Sequence, residues 1–242
     1  MRTRAVLKED AKQLLRGNWW SAISLVSLSM LAMWLLSIVV TYTLAGTFAL
    51  PFLGIGMLSE LGSWLEAFGI VAAIFWGIGI ALVSFAFGIF SMMLKVGMAA
   101  EILDWQAHPQ GKQVGFKGAF RYFTKDDFVP VFILCFKIYL YLFLWGLIPV
   151  IGWIIVLVKA LAYFQAPFLY ARYGKTMTSG ELLTRSRQLM DGYKGDLAIL
   201  LVSFIGWFIL ANISFGIGFI WLLPYVAVTL TLFAKDVADA KA

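Results

Sequence analysis

Charged residues make up only 13% of this 242-residue chain, and histidine and cysteine occur once each. A soluble domain carries about 25% charged residues, so the shortage excludes an ordinary water-facing surface. Cys135 is the single cysteine and lies inside an apolar stretch, which excludes an intramolecular disulfide and any redox pair. His108 stands beside Pro109 in a polar loop. A lone histidine there excludes a histidine metal cluster or a histidine-based triad. Positive charge is also missing where a chain of this composition should reveal its turns: around Glu60 and Glu66, at Ile148-Pro149-Val150, and from Asn212 to Gly218.

What is present is apolar. Residues of the hydrophobic types reach 62%, and the mean hydropathy is +0.89. Of the 19 Lys and Arg residues, all but two fall in four short segments. These hold Arg2, Arg4, Lys8, Lys12 and Arg16; Lys95, Lys112, Lys117, Arg121 and Lys125; Arg172, Lys175, Arg185, Arg187 and Lys194; and Lys235 with Lys241. Basic loops resist translocation, so this alternation predicts an even number of crossings with both chain ends in the cytoplasm. The net charge of +6 then belongs to loops facing anionic headgroups, and nucleic acid is not an expected partner. The expected location is the cytoplasmic membrane.

The length suits six spanning helices of ~20 residues, an all-α bundle with amphipathic cytoplasmic helices. Residues 1–18 read as a surface helix, 19–95 as the first hairpin and 96–127 as a cytoplasmic loop. Residues 128–171 form the second hairpin, 172–196 a second surface helix, 197–234 the third hairpin and 235–242 a tail. The run from Trp19 to Leu44 is longer than a signal-peptide core and reads as a retained anchor. The second helix begins near Phe68, and Phe90, Met93, Leu94, Met98, Ile102 and Trp105 continue it as an amphipathic piece along the inner surface. Between Gly46 and Ala67, Pro51 and several glycines predict an interfacial or re-entrant segment.

Thr178 and Glu181 form an S/T-x-x-E capping box. Leu182, Leu183, Ser186, Leu189 and Met190 then share one face, and Gly192 ends the helix. The N-terminal segment repeats this design with Leu7, Ala11, Leu14 and Leu15. The letters match as well: Lys12-Gln13-Leu14-Leu15-Arg16-Gly17 against Arg187-Gln188-Leu189-Met190-Asp191-Gly192. Ala22-Ile23 and Leu25-Val26-Ser27 then match Ala198-Ile199 and Leu201-Val202-Ser203, after a one-residue gap. This is a parallel repeat of surface helix and hairpin, with Phe116 to Tyr122 before the central hairpin as a degenerate third copy. Chance similarity between apolar segments is the competing reading.

Two lysines lie inside spans. Lys137 is ~14 Å along the third helix and Lys159 ~10 Å from the opposite turn, both within a hydrocarbon core of ~30 Å. An unpaired lysine there costs ~3 kcal/mol on insertion scales. The pair, with Tyr163 and Gln165, is the candidate site for an anionic group. The structural alternative is snorkelling of Lys137, with Lys159 bonding carbonyls freed by Pro167 or the polar atoms of Tyr163 and Gln165. Arg16, Arg185, Arg187 and Lys194 are expected lipid contacts on the cytoplasmic surface. Asp126 and Asp127 read as helix caps. No nucleophile stands near a base, so neither catalysis nor a cofactor is expected.

One group of motifs points to a family. Leu189-Met190-Asp191-Gly192-Tyr193-Lys194 is followed by Ser203-Phe204-Ile205-Gly206-Trp207, Gly216-Ile217-Gly218-Phe219-Ile220-Trp221 and Pro224-Tyr225. Lys159-Ala160-Leu161-Ala162-Tyr163, Ala166-Pro167-Phe168 and the opening Ala11 to Trp19 fit the same pattern. Together these resemble the bacterial integral-membrane family catalogued as domain of unknown function 975, most specifically from Trp153 to Phe233. The resemblance implies a polytopic cytoplasmic-membrane protein without assigned activity, and it carries over no catalytic residues. The expected role is non-enzymatic binding of anionic lipid, a membrane-active peptide or a partner protein, in envelope homeostasis or self-protection. The alternative is a small transporter or exporter subunit holding an anionic substrate near Lys137 and Lys159.

Overall fold

The computed structural model describes residues 2–31, 33–38, 40–42, 63–108 and 114–241. Among them there are helices and no strands. The elements are α1 (Arg4–Leu15), α2 (Trp19–Tyr42, with a π-helical turn at Ile23–Ser27), α3 (Ser63–Ala107) and the short α4 (Phe116–Ala119). There follow α5 (Phe128–Gly146), α6 (Ile151–Tyr163), α7 (Ala166–Tyr173) and α8 (Ser179–Leu189). The last are α9 (Lys194–Val202), α10 (Ile205–Ile213) and α11 (Phe219–Ala240).

Six stretches are long and apolar enough to cross a membrane: Trp19–Tyr42, Ile74–Ala107, Phe128–Gly146, Ile151–Thr176, Lys194–Ile213 and Phe219–Ala240. Their outward faces carry large apolar side chains, among them Trp153, Ile154, Leu157, Trp207 and Leu210. A water-soluble chain would not leave such a band uncovered. The protein is an all-α, polytopic membrane-type bundle.

Several boundaries differ from the sequence expectation. Helix α3 already includes Ser63, so residues 63–67 are helical; the rest of the proposed re-entrant piece lies outside the described residues. The last part of α3 does not show a single buried stripe, because Met93, Val96, Met98, Ala100, Ile102 and Trp105 are buried around most of its circumference. The sixth span continues helically through the expected tail to Ala240. The fourth and fifth spans are each interrupted, at Phe164–Gln165 before Pro167 and at Ser203–Phe204. Proline at the start of α7 leaves no internal donor to lose, which is why the helix restarts there.

The chain divides into two compact units, Met1–Met30 with Met92–Ala242, and Leu31–Ser91. The second unit holds the far half of α2 and the first part of α3, with Trp34, Leu35, Phe75 and Leu82 exposed. The first unit has a core of Leu25, Met93, Trp105, Leu134, Ile138, Tyr170, Phe204 and Phe233.

Within the first unit, α1 and α8 are built alike. Thr3 and Thr178 cap them with nearly identical backbone angles (φ −71°, ψ 156° and φ −70°, ψ 157°), each hydroxyl accepting from the N–H three residues on. Gly17 and Gly192 follow at φ 84° and 85°, a left-handed conformation that favours glycine. The buried pairs Leu7/Leu182, Ala11/Ser186, Leu15/Met190, Ala22/Leu197, Leu25/Leu200 and Ser29/Phe204 keep one constant spacing. The gap that aligns the apolar letters is therefore not needed in space, because burial holds the register straight through the turn.

Each of these segments seats on a hairpin. Helix α8 packs on α5, α6 and α7, the hairpin before it, and Ser186 Oγ donates to the Ala162 carbonyl at 2.8 Å. The short α4 packs on the π-helical turn of α2 and on the end of α3. There Gly97 approaches so closely that an added Cβ would lie 2.2 Å from the Ala119 oxygen. Helix α1 packs on α11, and Lys8 Nζ reaches the Ser203 carbonyl at 3.3 Å. The N-terminal helix thus does for the last hairpin what α4 and α8 do for the first two. The repeat is cyclic, with α1 closing it.

Candidate functional site

The four basic segments meet at one end of the first unit, joined by ion pairs. Arg2 pairs with Asp10 on α1 and with Asp236 on α11, and its own backbone N–H adds a bond to Asp236 Oδ2 at 3.1 Å. Arg172 at the end of α7 pairs with Asp239 at 3.2 Å. Lys175 pairs with Asp127 at 3.1 Å, and Arg121 pairs with Asp104 and, at 3.7 Å, with Glu101. Lys241 donates to the Gln188 and Asp191 carbonyls at 2.8 and 2.6 Å, satisfying acceptors that the end of α8 leaves free.

The charges respond to these partners. The Arg2 guanidinium is held above its ordinary value, chiefly by its hydrogen bond to Asp236, and Arg121 likewise by its bond to Asp104. The Lys8 ammonium is pushed down, mainly by burial and then by Arg4 and Lys12; it lies 4.3 Å from the centre of the Phe204 ring. Glu181 is held below the usual carboxylate range by the backbone N–H of Thr178 and then by its hydroxyl.

These bonds consume most of the acids at this end and leave many cations over. Glu9, Asp10, Glu101, Asp104, Asp127, Asp236 and Asp239 all face a Lys or Arg, and Glu181 is held in the capping box. Arg4, Arg16, Lys117, Lys125 and Lys235 are exposed and engage no carboxylate among the described residues.

The residues expected from sequence are spread across this frame. Arg16 is exposed just beyond α1, Arg185 and Arg187 are exposed on α8, and Lys194 is half-buried at the start of α9. Arg185 reaches only the Lys241 carbonyl, at 3.4 Å, and Arg187 the Thr184 hydroxyl, at 3.2 Å. Lys137 and Lys159 are half-buried on α5 and α6 and have no hydrogen bond or ion pair among the described residues. Gln165 is fully buried; its amide N–H donates to the Ala234 carbonyl at 3.0 Å, and its amide oxygen accepts no bond from Lys159. Tyr163 is buried with its ring 6.4 Å from that of Tyr141. Asp127 does not cap α5 through its side chain; Lys175 and the Thr124 hydroxyl take its carboxylate instead.

One arrangement was not visible in the sequence. A cleft of about 330 Å³ opens between α1, the end of α3 and α11, lined by Arg2, Asp10, Gln13, Leu14, Gln106, Leu232 and Lys235. Both amide atoms of Gln106 are buried and lack a hydrogen-bond partner. These residues are too distant in sequence for any spacing rule to collect them.

No curated protein and no solved structure matches this chain. From the turn after α5 through α11, residues 150–241 match the family model described as Protein of unknown function (DUF975), the family that the sequence motifs resemble.

Proposed function

We propose that the protein is a non-enzymatic, multi-pass component of the cytoplasmic membrane, with both chain ends inside, that binds anionic phospholipid at its basic end. The observation that carries this reading is the cation surplus there. Ion pairs and the capping box of α8 engage most of the nearby carboxylates, and exposed Lys and Arg remain around the rim. Such residues attract anionic headgroups by about 1 kcal/mol each near the surface. Lys137 and Lys159 fit the same reading. An unpaired lysine within a span extends its stem toward the interface and meets a headgroup phosphate there. Neither lysine lines the two clefts at the basic end.

Two measurements test the proposal. Full-length protein reconstituted in nanodiscs of mixed phosphatidylcholine and phosphatidylglycerol should retain the anionic lipid when released for native mass spectrometry. Equal retention of both lipids would end the binding claim. For orientation, on a Cys135→Ala background, a membrane-impermeant maleimide should label Phe215→Cys but not Lys241→Cys in intact cells. The opposite pattern would invert the topology.

A further inference from the structure

The headgroup preference does not spread evenly over the basic rim: we propose that the cleft between α1, the end of α3 and α11 is a discrete site for one anionic glycerophospholipid headgroup. This rests on the lipid-binding reading above and narrows it to named residues.

The cleft has the parts that such a headgroup needs. Lys235 is exposed and faces no carboxylate partner among the described residues, so its ammonium is available to a phosphodiester. Arg2 is already committed to Asp10 and Asp236; it fixes the wall and offsets the acids. Gln13 is exposed and forms no side-chain hydrogen bond among the described residues. Gln106 holds both amide atoms buried with nothing to bond, a costly state in a folded protein unless a ligand or water meets it. Both atoms are buried in this structure, so the side chain must turn toward the cleft, where its N–H would meet a phosphate oxygen and its carbonyl a hydroxyl of a glycerol headgroup. Leu14 and Leu232 supply an apolar edge for the first carbons of the acyl chains. A free inorganic anion would use only the lysine and the amide donors. A lipid uses the apolar edge as well, and the mixed lining favours it.

The chemistry of Gln106 makes the test clean. Removing a buried amide that has no protein partner does not weaken folding, so Gln106→Leu should fold at least as well as the parent. The experiment uses full-length protein in phosphatidylcholine nanodiscs containing a minor fraction of phosphatidylglycerol, read by native mass spectrometry and titrated for apparent affinity. Lys235→Gln and Gln106→Leu are each expected to weaken phosphatidylglycerol retention by tenfold or more. Lys117→Gln and Lys125→Gln, exposed cations outside the cleft, should each lower it by no more than about fivefold, the general headgroup attraction of one surface cation. If all four variants lose retention equally, the discrete site is wrong while the basic-end reading stands. If the parent itself shows no preference, both fail. If soluble glycerol 1-phosphate or inorganic phosphate displaces nothing, the lipid assignment is supported. Displacement at comparable concentration by either would overturn it in favour of a free phosphate site.

Discussion

Arg2 Nε donates to both carboxylate oxygens of Asp236, at 2.9 and 3.0 Å, across 234 positions of chain. The two ends of that bridge are not equally exposed: the Arg2 side chain is 38% accessible and the Asp236 side chain 11%. Removing the arginine strands a mostly buried carboxylate, whereas removing the carboxylate leaves an arginine that still has Asp10. Arg2→Ala should therefore lower stability by about 1 kcal/mol after allowance for solvent screening, and Asp236→Asn by clearly less. Thermal unfolding in detergent measures both; the reverse order would show that Arg2 does not anchor α1.

Close backbone approach sets a second expectation. At Gly97 a Cβ would collide with the Ala119 carbonyl, and backbone cannot step aside as a side chain can. Gly97→Ala should cost about 1–3 kcal/mol, the usual range for overpacking. At Gly180, inside α8, a Cβ meets nothing within 4 Å. Gly180→Ala should stabilise by up to about 1 kcal/mol. Chemical denaturation of the two variants should move in opposite directions.

The capping box of α8 predicts a pH response. Glu181 is held below the ordinary carboxylate value of about 4.3 by its bonds to Thr178. A lowered value means the contribution is present above that ordinary value and is lost as pH falls through the depressed one. Amide exchange in the first turn of α8, corrected for intrinsic rates, should accelerate below about pH 4. Glu181→Gln should remove that pH dependence. An unchanged profile in the variant would sever the link.

Phe215 stands at φ 53° and is 99% exposed at the turn between α10 and α11. A left-handed conformation costs a residue with a side chain about 1–2 kcal/mol, and no packing here offsets it. Phe215→Gly should raise the melting temperature, and Phe215→Ala should not. Equal gains would implicate the ring and not the backbone.

Local chemistry was legible in the letters; distant pairing was not. Thr178, Glu181 and Gly192 belong to one helix and its two flanks, so their spacing alone states what they do. The basic clusters were legible because translocation acts on charge along the chain. Asp127 stands at the N-cap position of α5 as its place in the sequence predicts, but Lys175 takes its carboxylate from another element, and no local pattern reports that. The constant spacing of buried residues through Gly17 and Gly192 was hidden as well, since similar apolar letters can be aligned with a gap that three dimensions do not contain. Nothing in the letters around Gln106 tells that its amide is buried without a partner.

The seat of α1 on α11 has a consequence for biosynthesis. Helix α1 leaves the ribosome long before α11 exists, so Leu7, Ala11 and Leu15 spend most of translation without the surface that will cover them. A nascent helix with one greasy side rests on the bilayer face or on a holding chaperone in that interval. Assembly is complete only when the earliest helix is recaptured by one of the latest.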